Sequence, residues 1–313
     1  MTQSRSAGRV AERATDLVGD TPLVHLTEFA PNLYGKVESF NPLASIKDRV
    51  AVNMLETAAA NGELGPETTI VEATSGNTGI GLAHAAAAMD YDIRLVMPDS
   101  MSEERRQILR ALGAQLDLTP AEEGMQGSIE HADALAESGD VFRPNQFENP
   151  ANPQAHREGT GPEIEAALDE VDVLVASVGT GGTLTGIAQH FKADLGREDF
   201  TVVAVEPAES AVLSGDEPGG HDIPGVGAGF VPEILDVDLI DEIETVENET
   251  AHEWTRKLAR ETGIFAGISS GAAVSAATRV AKRPAHESET VVTILPDTGE
   301  RYLSTGVFGS GAD

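Results

Sequence analysis

Short apolar runs alternate along the chain with longer stretches whose apolar positions recur at helical spacing. The runs Thr69 to Ala73, Ile93 to Met97, Asp172 to Val178 and Thr201 to Val205 predict strands. Helical spacing follows three of them, over Ile80 to Met89, Glu103 to Leu112 and Thr183 to Lys192. That alternation predicts an α/β fold around parallel sheet. Arg143 to Pro153, RPNQFENPANP, is dense in proline and asparagine and reads as an irregular connection where the chain crosses between domains. Gly215 to Gly229 is a second, glycine-rich loop, and no fixed-period repeat or low-complexity segment is present.

Length and charge narrow the function. A chain of 313 residues suits one large or two moderate domains, and 40% hydrophobic with 23% charged residues is the composition of a folded globular protein. Asp and Glu number 52 against 21 Lys and Arg, a formal charge of −31 that repels nucleic acid phosphates. Five lysines on so acidic a chain suit a cytoplasm rich in salt, where repulsion is screened. No apolar stretch approaches the roughly 18 residues of a membrane helix, and Arg5, Arg9 and Arg13 precede no apolar signal core, so neither membrane spanning nor secretion is expected. With no cysteine and dispersed histidines, no local metal motif is expected.

Three constellations could carry chemistry. In Asn41-Pro-Leu-Ala-Ser-Ile-Lys47-Asp-Arg49, Ser45 and Asp48 fit a capping box that opens a helix running through Leu55. Lys47 would then sit in the first turn, where the helix dipole and burial lower an amine's pKa and prepare it for Schiff-base chemistry; an ordinary exposed helix lysine is the competing reading. Thr74-Ser75-Gly76-Asn77-Thr78-Gly79 lies between a strand and a helix as an anion cradle of backbone N–H, hydroxyl and amide donors. Gly179-Thr180-Gly181-Gly182-Thr183 repeats that arrangement after Val178, its glycines allowing backbone to approach phosphate. Two cradles imply two anionic groups; tight strand-to-helix turns alone are the simpler alternative.

Other motifs fail on context. Gly267-Ile-Ser269-Ser270-Gly271 matches a hydrolase nucleophile elbow, yet the downstream His286 precedes Asp297, the reverse of that fold's order, so Ser269 reads as a hydrogen-bonding residue. Asp297-Thr-Gly299 has no second copy to make an aspartic protease dyad and reads as a turn. Neither cradle has the third glycine of a dinucleotide fingerprint, which leaves only Glu206 as a possible ribose-binding acid.

In order, Val18-Gly-Asp-Thr-Pro-Leu, NPLASIKDR, TSGNTG, MPDSMSEERRQILRALGA, PNQFENPANPQAH, GTGGTLTG, GVGAGFVP, GISSGAA and LPDTGERYLST resemble the cysteine synthase (O-acetylserine sulfhydrylase) family of fold-type-II pyridoxal-phosphate enzymes over nearly the whole chain. The resemblance implies a two-domain α/β fold, tryptophan synthase β-like, with a smaller domain over 41–150, a larger one from 1–40 and 151–313, and the cofactor cleft between them. It implies that Lys47 carries pyridoxal 5′-phosphate and removes the substrate's Cα proton, and that Gly179, Thr180, Gly181, Gly182 and Thr183 bind its phosphate. Asn77 would meet the ring's 3′ oxygen and Ser269 the pyridine nitrogen, while Thr74, Ser75, Thr78 and Gln146 would take the substrate carboxylate. A neutral hydroxyl at the pyridine nitrogen moderates the electron sink and favours β-elimination. The implied reaction is ping-pong, O-acetylserine losing acetate and sulfide adding to give cysteine. Cystathionine β-synthase, O-phosphoserine sulfhydrylase and an inactive partner-binding homologue are the alternatives; a homodimer and docking of serine acetyltransferase are further implied. Asp20, Asp222 and Asp297 depart from the family's usual residues.

Overall fold

The computed structural model describes residues 10–74, 76–137 and 139–309. Its strands are β1 (Leu23–His25), β2 (Leu33–Val37), β3 (Thr69–Ala73), β4 (Ile93–Pro98), β5 (Gln115–Thr119), β6 (Val141–Phe142), β7 (Val173–Ser177), β8 (Thr201–Pro207), β9 (Glu242–Val246) and β10 (Val291–Leu295). They form two sheets, β1-β2-β10-β7-β8-β9 and β5-β4-β3-β6. Among these strands β1 and β2 pair antiparallel and the other pairings are parallel. The α/β expectation holds, and the four strands read from sequence are β3, β4, β7 and β8.

The helices are α1 (Lys47–Asn61), α2 (Asn77–Met89), α3 (Glu103–Ala111), α4 (Gly124–Ala136), α5 (Ala151–Ala155), α6 (Gly161–Ala167), α7 (Gly182–Ala188), α8 (Asn248–Thr262) and α9 (Ile268–Ala281). Wide π-helical turns prolong α5 through Thr160 and α7 through Asp194. The continuous apolar runs of β7 and β8 follow from cover on both faces of their sheet. Val173, Val175, Val203 and Val205 pack with α8 and α9, whereas the alternating Leu174, Ala176, Val202 and Ala204 pack with α7, Phe191 and Phe200. A second core joins α1 and α2 to β3 and β4. Each fully buried aliphatic side chain contributes roughly 1.5–3 kcal/mol relative to exposure.

Two features fix α1, and with it Lys47. A Cβ on Gly81 would lie 2.9 Å from the Lys47 carbonyl and 3.1 Å from Ala51 Cβ, so glycine lets α2 press directly on the first turn of α1. On the opposite side Arg49 is clamped by Glu38 (Nε–Oε2, 2.7 Å) and Glu163 (Nη2–Oε2, 2.6 Å), and Lys36 of β2 donates to the same Glu163 carboxylate at 2.7 Å. Burial opposes ionisation of Glu163, but Arg49 and Lys36 outweigh it and hold the acid at about 2. Removing one partner from such a buried, fully paired cluster costs about 3–5 kcal/mol.

The expected capping box does not form. Ser45 Oγ accepts from the Lys47 N–H at 3.2 Å, and the Asp48 carboxylate reaches back to the Leu43 N–H at 2.7 Å. The turn is held from outside instead, by an Ile46 N–H bond to the Pro296 carbonyl (2.8 Å) and a bridge from Ser45 to Asp297. Ala44 sits at φ +56, a left-handed conformation that a residue with a Cβ seldom adopts, and this long-range support keeps it there.

Candidate active site

The loops that follow β2, β3, β7 and β10 converge at the carboxyl ends of the parallel strands, where open α/β sheets place their ligand sites. A cleft there encloses about 620 Å³, its open mouth included. Lys47, Asn77, Gly179, Thr180, Gly181 and Thr183 all line it, together with Ser269 at the start of α9. Residues far apart in the chain thus meet where the resemblance implies one site. Gly182 lies just behind, where an added Cβ would meet Asn152 Oδ1 at 2.0 Å.

The cradle over 179–183 depends on its glycines. Gly181 has φ +84 and opens the helical segment 182–194, and a Cβ on Gly179 would meet the Gly225 carbonyl oxygen at 2.2 Å. The 224–226 loop therefore lies on the cradle, held in place by a Gly227 N–H bond to Val178 O (2.9 Å) and a contact of His221 Nε2 with Gly227 O (3.0 Å).

Burial lowers the Lys47 ammonium to about 8, with the Asp297 carboxylate opposing the shift. Lys36 is tied to Thr21 and Glu163, Lys192 to Asp241 and Leu239, Lys257 lies over Trp254, and Lys282 is exposed, so Lys47 is the lysine that faces the cleft.

Asp297, which sequence alone reads as a turn, belongs to the site. Its Oδ2 accepts from Asn77 Nδ2 at 2.7 Å and from the Tyr302 hydroxyl at 2.6 Å, while Oδ1 is buried without a partner. Burial pushes its acid up, against those hydrogen bonds and the charges of Arg301 and Arg105. Its carbonyl accepts from the Gly267 N–H at 3.0 Å, so one short segment pins the Lys47 turn on one side and the approach to Ser269 on the other. Tyr302 and Pro224 to Val226 also escaped the sequence reading as individual site residues; the guanidinium of Arg301, a candidate cation for a phosphorylated donor, donates to Asn77 Oδ1 and the Leu43 carbonyl.

Of the four residues expected to hold a substrate carboxylate, Thr74, Thr78 and Gln146 lie beside the start of α2. The Thr78 hydroxyl donates to Gln146 Oε1 at 2.7 Å, and the N–H of Thr74, just after β3, donates to the Val96 carbonyl of β4. Ser75 lies outside the described residues. Glu206 accepts from the Leu213 and Ser214 N–H groups and the Ser214 hydroxyl, closing a turn, so it is not a ribose ligand. No histidine hydrogen-bonds Ser269 among the described residues, and no cluster of His, Asp and Glu there could hold a metal ion.

This donor set fits pyridoxal phosphate: a desolvated amine for the aldehyde, a cradle that Cβ atoms would fill for the phosphate, and neutral hydroxyl and amide groups between them. Asp297→Asn removes the charge that supports the Lys47 ammonium, so the amine should titrate below about 8. The rate at which apoprotein takes up pyridoxal phosphate, followed against pH, should shift its midpoint to lower pH; an unmoved midpoint would show that Lys47 does not sense Asp297.

A family profile described as pyridoxal-phosphate dependent enzyme matches residues 14–297. The cysteine synthase of Staphylococcus aureus (strain N315) is 47% identical over 308 residues, covering 96% of this chain and 98% of the relative. The crystal structure of cysteine synthase from Entamoeba histolytica superposes with a TM-score of 0.96 at 40% identity, covering 100% of this chain and 95% of that one. That of O-ureido-L-serine synthase gives 0.91 at 45% identity, covering 97% and 98%. With a profile match across most of its length, the chain belongs to the pyridoxal-phosphate-dependent enzyme family.

Proposed function

We propose that the protein makes cysteine by β-replacement, converting O-acetylserine and sulfide to cysteine and acetate. The observation that carries the reading is the single cleft lysine, lowered by burial to about 8, in one cleft with the glycine cradle at the carboxyl ends of the parallel strands. Near-full-length similarity to a cysteine synthase supports it.

Pyridoxal phosphate, when bound, supplies the electron sink for the bond-breaking at Cα. The chain does the rest. Lys47 Nζ, deprotonated in part near neutral pH, can hold the cofactor's aldehyde carbon and afterwards take the proton from the substrate's Cα. Gly179 to Thr183 would hold the phosphate through N–H and hydroxyl donors, and the neutral hydroxyl of Ser269 would serve the pyridine nitrogen. Asn77, Thr78 and Gln146 already hydrogen-bond within the protein, so these groups must exchange partners when ligand arrives. Division into domains 41–150 and 1–40 plus 151–313 is supported by the two sheets, whose strands fall in 69–142 and in 23–37 with 173–295. A homodimer, docking of a serine acetyltransferase and a cytoplasmic location are parts of the same proposal; no described helix is long and apolar enough to cross a membrane.

The donor rests on charge. No lysine or arginine occurs from Glu198 to Thr255, the segment that lays Pro224 to Val226 on the cleft, so a phosphate leaving group finds no cation there. A second reading, O-phosphoserine as donor, draws support from Arg301, which touches Asn77, and Arg105, whose charge reaches Asp297. Comparison of kcat/KM for O-acetylserine, O-phosphoserine and serine, with sulfide and with homocysteine, tests both. O-acetylserine with sulfide should lead by at least about tenfold; a lead for O-phosphoserine would transfer the donor role to the arginines, and serine with homocysteine would make the enzyme a cystathionine β-synthase.

A further inference from the structure

The helical turn after the proline-rich connection brings two buried side chains against the cradle from behind. Asn152 and His156 are both fully buried, and their spacing of four puts them on one face of that turn. Asn152 Nδ2 donates to the Gln146 carbonyl at 2.7 Å and to Thr180 Oγ1 at 3.0 Å. Thr180 Oγ1 also accepts from the Gly182 N–H at 3.4 Å. Both partners of that oxygen are donors, so the Thr180 hydrogen is not used by either of them, and Thr180 lines the cleft.

His156 treats the second threonine alike in one of its two tautomers. Its Nε2 lies 3.2 Å from Thr183 Oγ1 and its Nδ1 2.9 Å from Thr160 Oγ1. Burial, together with the charges of Arg49 and Lys47, pushes its pKa well down, so the ring is neutral and carries one N–H. With that hydrogen on Nε2, His156 donates to Thr183 and accepts from Thr160, which frees the Thr183 hydrogen for the cleft. With it on Nδ1, His156 draws in the Thr183 hydrogen and turns a lone pair toward any anion in the cradle.

We propose that Asn152 and His156, the latter as its Nε2–H tautomer, are positioning residues that turn the Thr180 and Thr183 hydroxyls into obligate donors toward a phosphate monoester. The proposal rests on the reading that the cradle takes the cofactor's phosphate. Neither residue touches the ligand; each acts through a threonine, at no gain of charge in a site already short of cations.

The test measures apoenzyme affinity for pyridoxal phosphate, for pyridoxal and for inorganic phosphate. Wild-type apoenzyme should prefer pyridoxal phosphate over pyridoxal by orders of magnitude; equal affinity would overturn the phosphate reading itself, whatever the variants do. If that preference holds, His156→Leu should weaken pyridoxal phosphate and inorganic phosphate on the order of tenfold or more while pyridoxal changes less than about twofold. His156→Gln, whose amide nitrogen reaches the Nε2 position, should recover most of the loss, and His156→Asn should not. In a Thr183→Val background His156→Leu should add nothing. The ³¹P resonance of the bound cofactor should titrate at higher pH in His156→Leu, because the dianion has lost a donor. Equal losses for pyridoxal and pyridoxal phosphate, or additive losses in the double variant, would reduce His156 to a packing role and overturn the proposal; should His156→Leu fail to fold, the contrast between the Gln and Asn variants decides alone.

Discussion

Replacing Lys47 by alanine is expected to abolish borohydride-fixable binding of pyridoxal phosphate and to lower kcat by at least about 10³-fold, because one amine both holds the cofactor and moves the Cα proton. No other lysine can substitute. Lys36 is locked in the Arg49 cluster, and Lys192, Lys257 and Lys282 lie away from the cleft. Lys47→Arg keeps the charge but not a deprotonatable amine and should be equally inactive. An adduct that survives in Lys47→Ala would place the covalent chemistry elsewhere.

The same amine carries a stability signature in the apoprotein. Its folded pKa of about 8 lies below the ordinary lysine value of 10.5, so between those values the folded state binds fewer protons than the unfolded one. Stability therefore rises with pH across that window, and below it the buried ammonium is a standing cost. Apoprotein Lys47→Met should melt higher than wild type at pH 7, with the difference shrinking toward pH 10.5. A difference that stays constant with pH would mean that the amine is not desolvated.

What the chain discloses without coordinates depends on whether a residue's partners are near in sequence. Strands β3, β4, β7 and β8 are legible because an apolar run between turn residues contains its own explanation. The glycine cradles are legible for the same reason. The start of α1 is not: Ser45 and Asp48 satisfy a local rule, yet the turn answers to Pro296 and Asp297 some 250 positions away. Asp297 itself looks like a turn residue, and its meaning comes from Asn77, 220 positions earlier. Asn152 sits near the end of a segment legible only as irregular and His156 just beyond it, because proline and asparagine mask the helical turn that aims them. Gln146 is legible through resemblance alone, since its hydrogen-bond partner Thr78 lies 68 positions earlier.

Transfer from dilute buffer to molar salt is expected to raise both the melting temperature and the activity, and this is the largest expected effect that no single residue carries. The 31 uncompensated negative charges repel one another over a Debye length of about 10 Å at 0.1 M, which contracts to about 3 Å at 1 M. Exposed pairs such as Arg197 with Asp199 and Arg157 with Asp194 lose attraction in the same salt, but each is worth at most about 1 kcal/mol. The Arg49 cluster is buried and escapes screening. Relief of repulsion therefore outweighs the loss of pairs, and a gain of a few kcal/mol corresponds to a rise of roughly 10 °C in a protein of this size. Chloride salts of sodium and potassium should act alike at equal ionic strength, which separates screening from the added hydrophobic strengthening that sulfate brings. A melting temperature that is flat or falls with chloride would show that paired surface charge, not net charge, governs stability, and the salt-rich cytoplasm inferred from composition would fall with it.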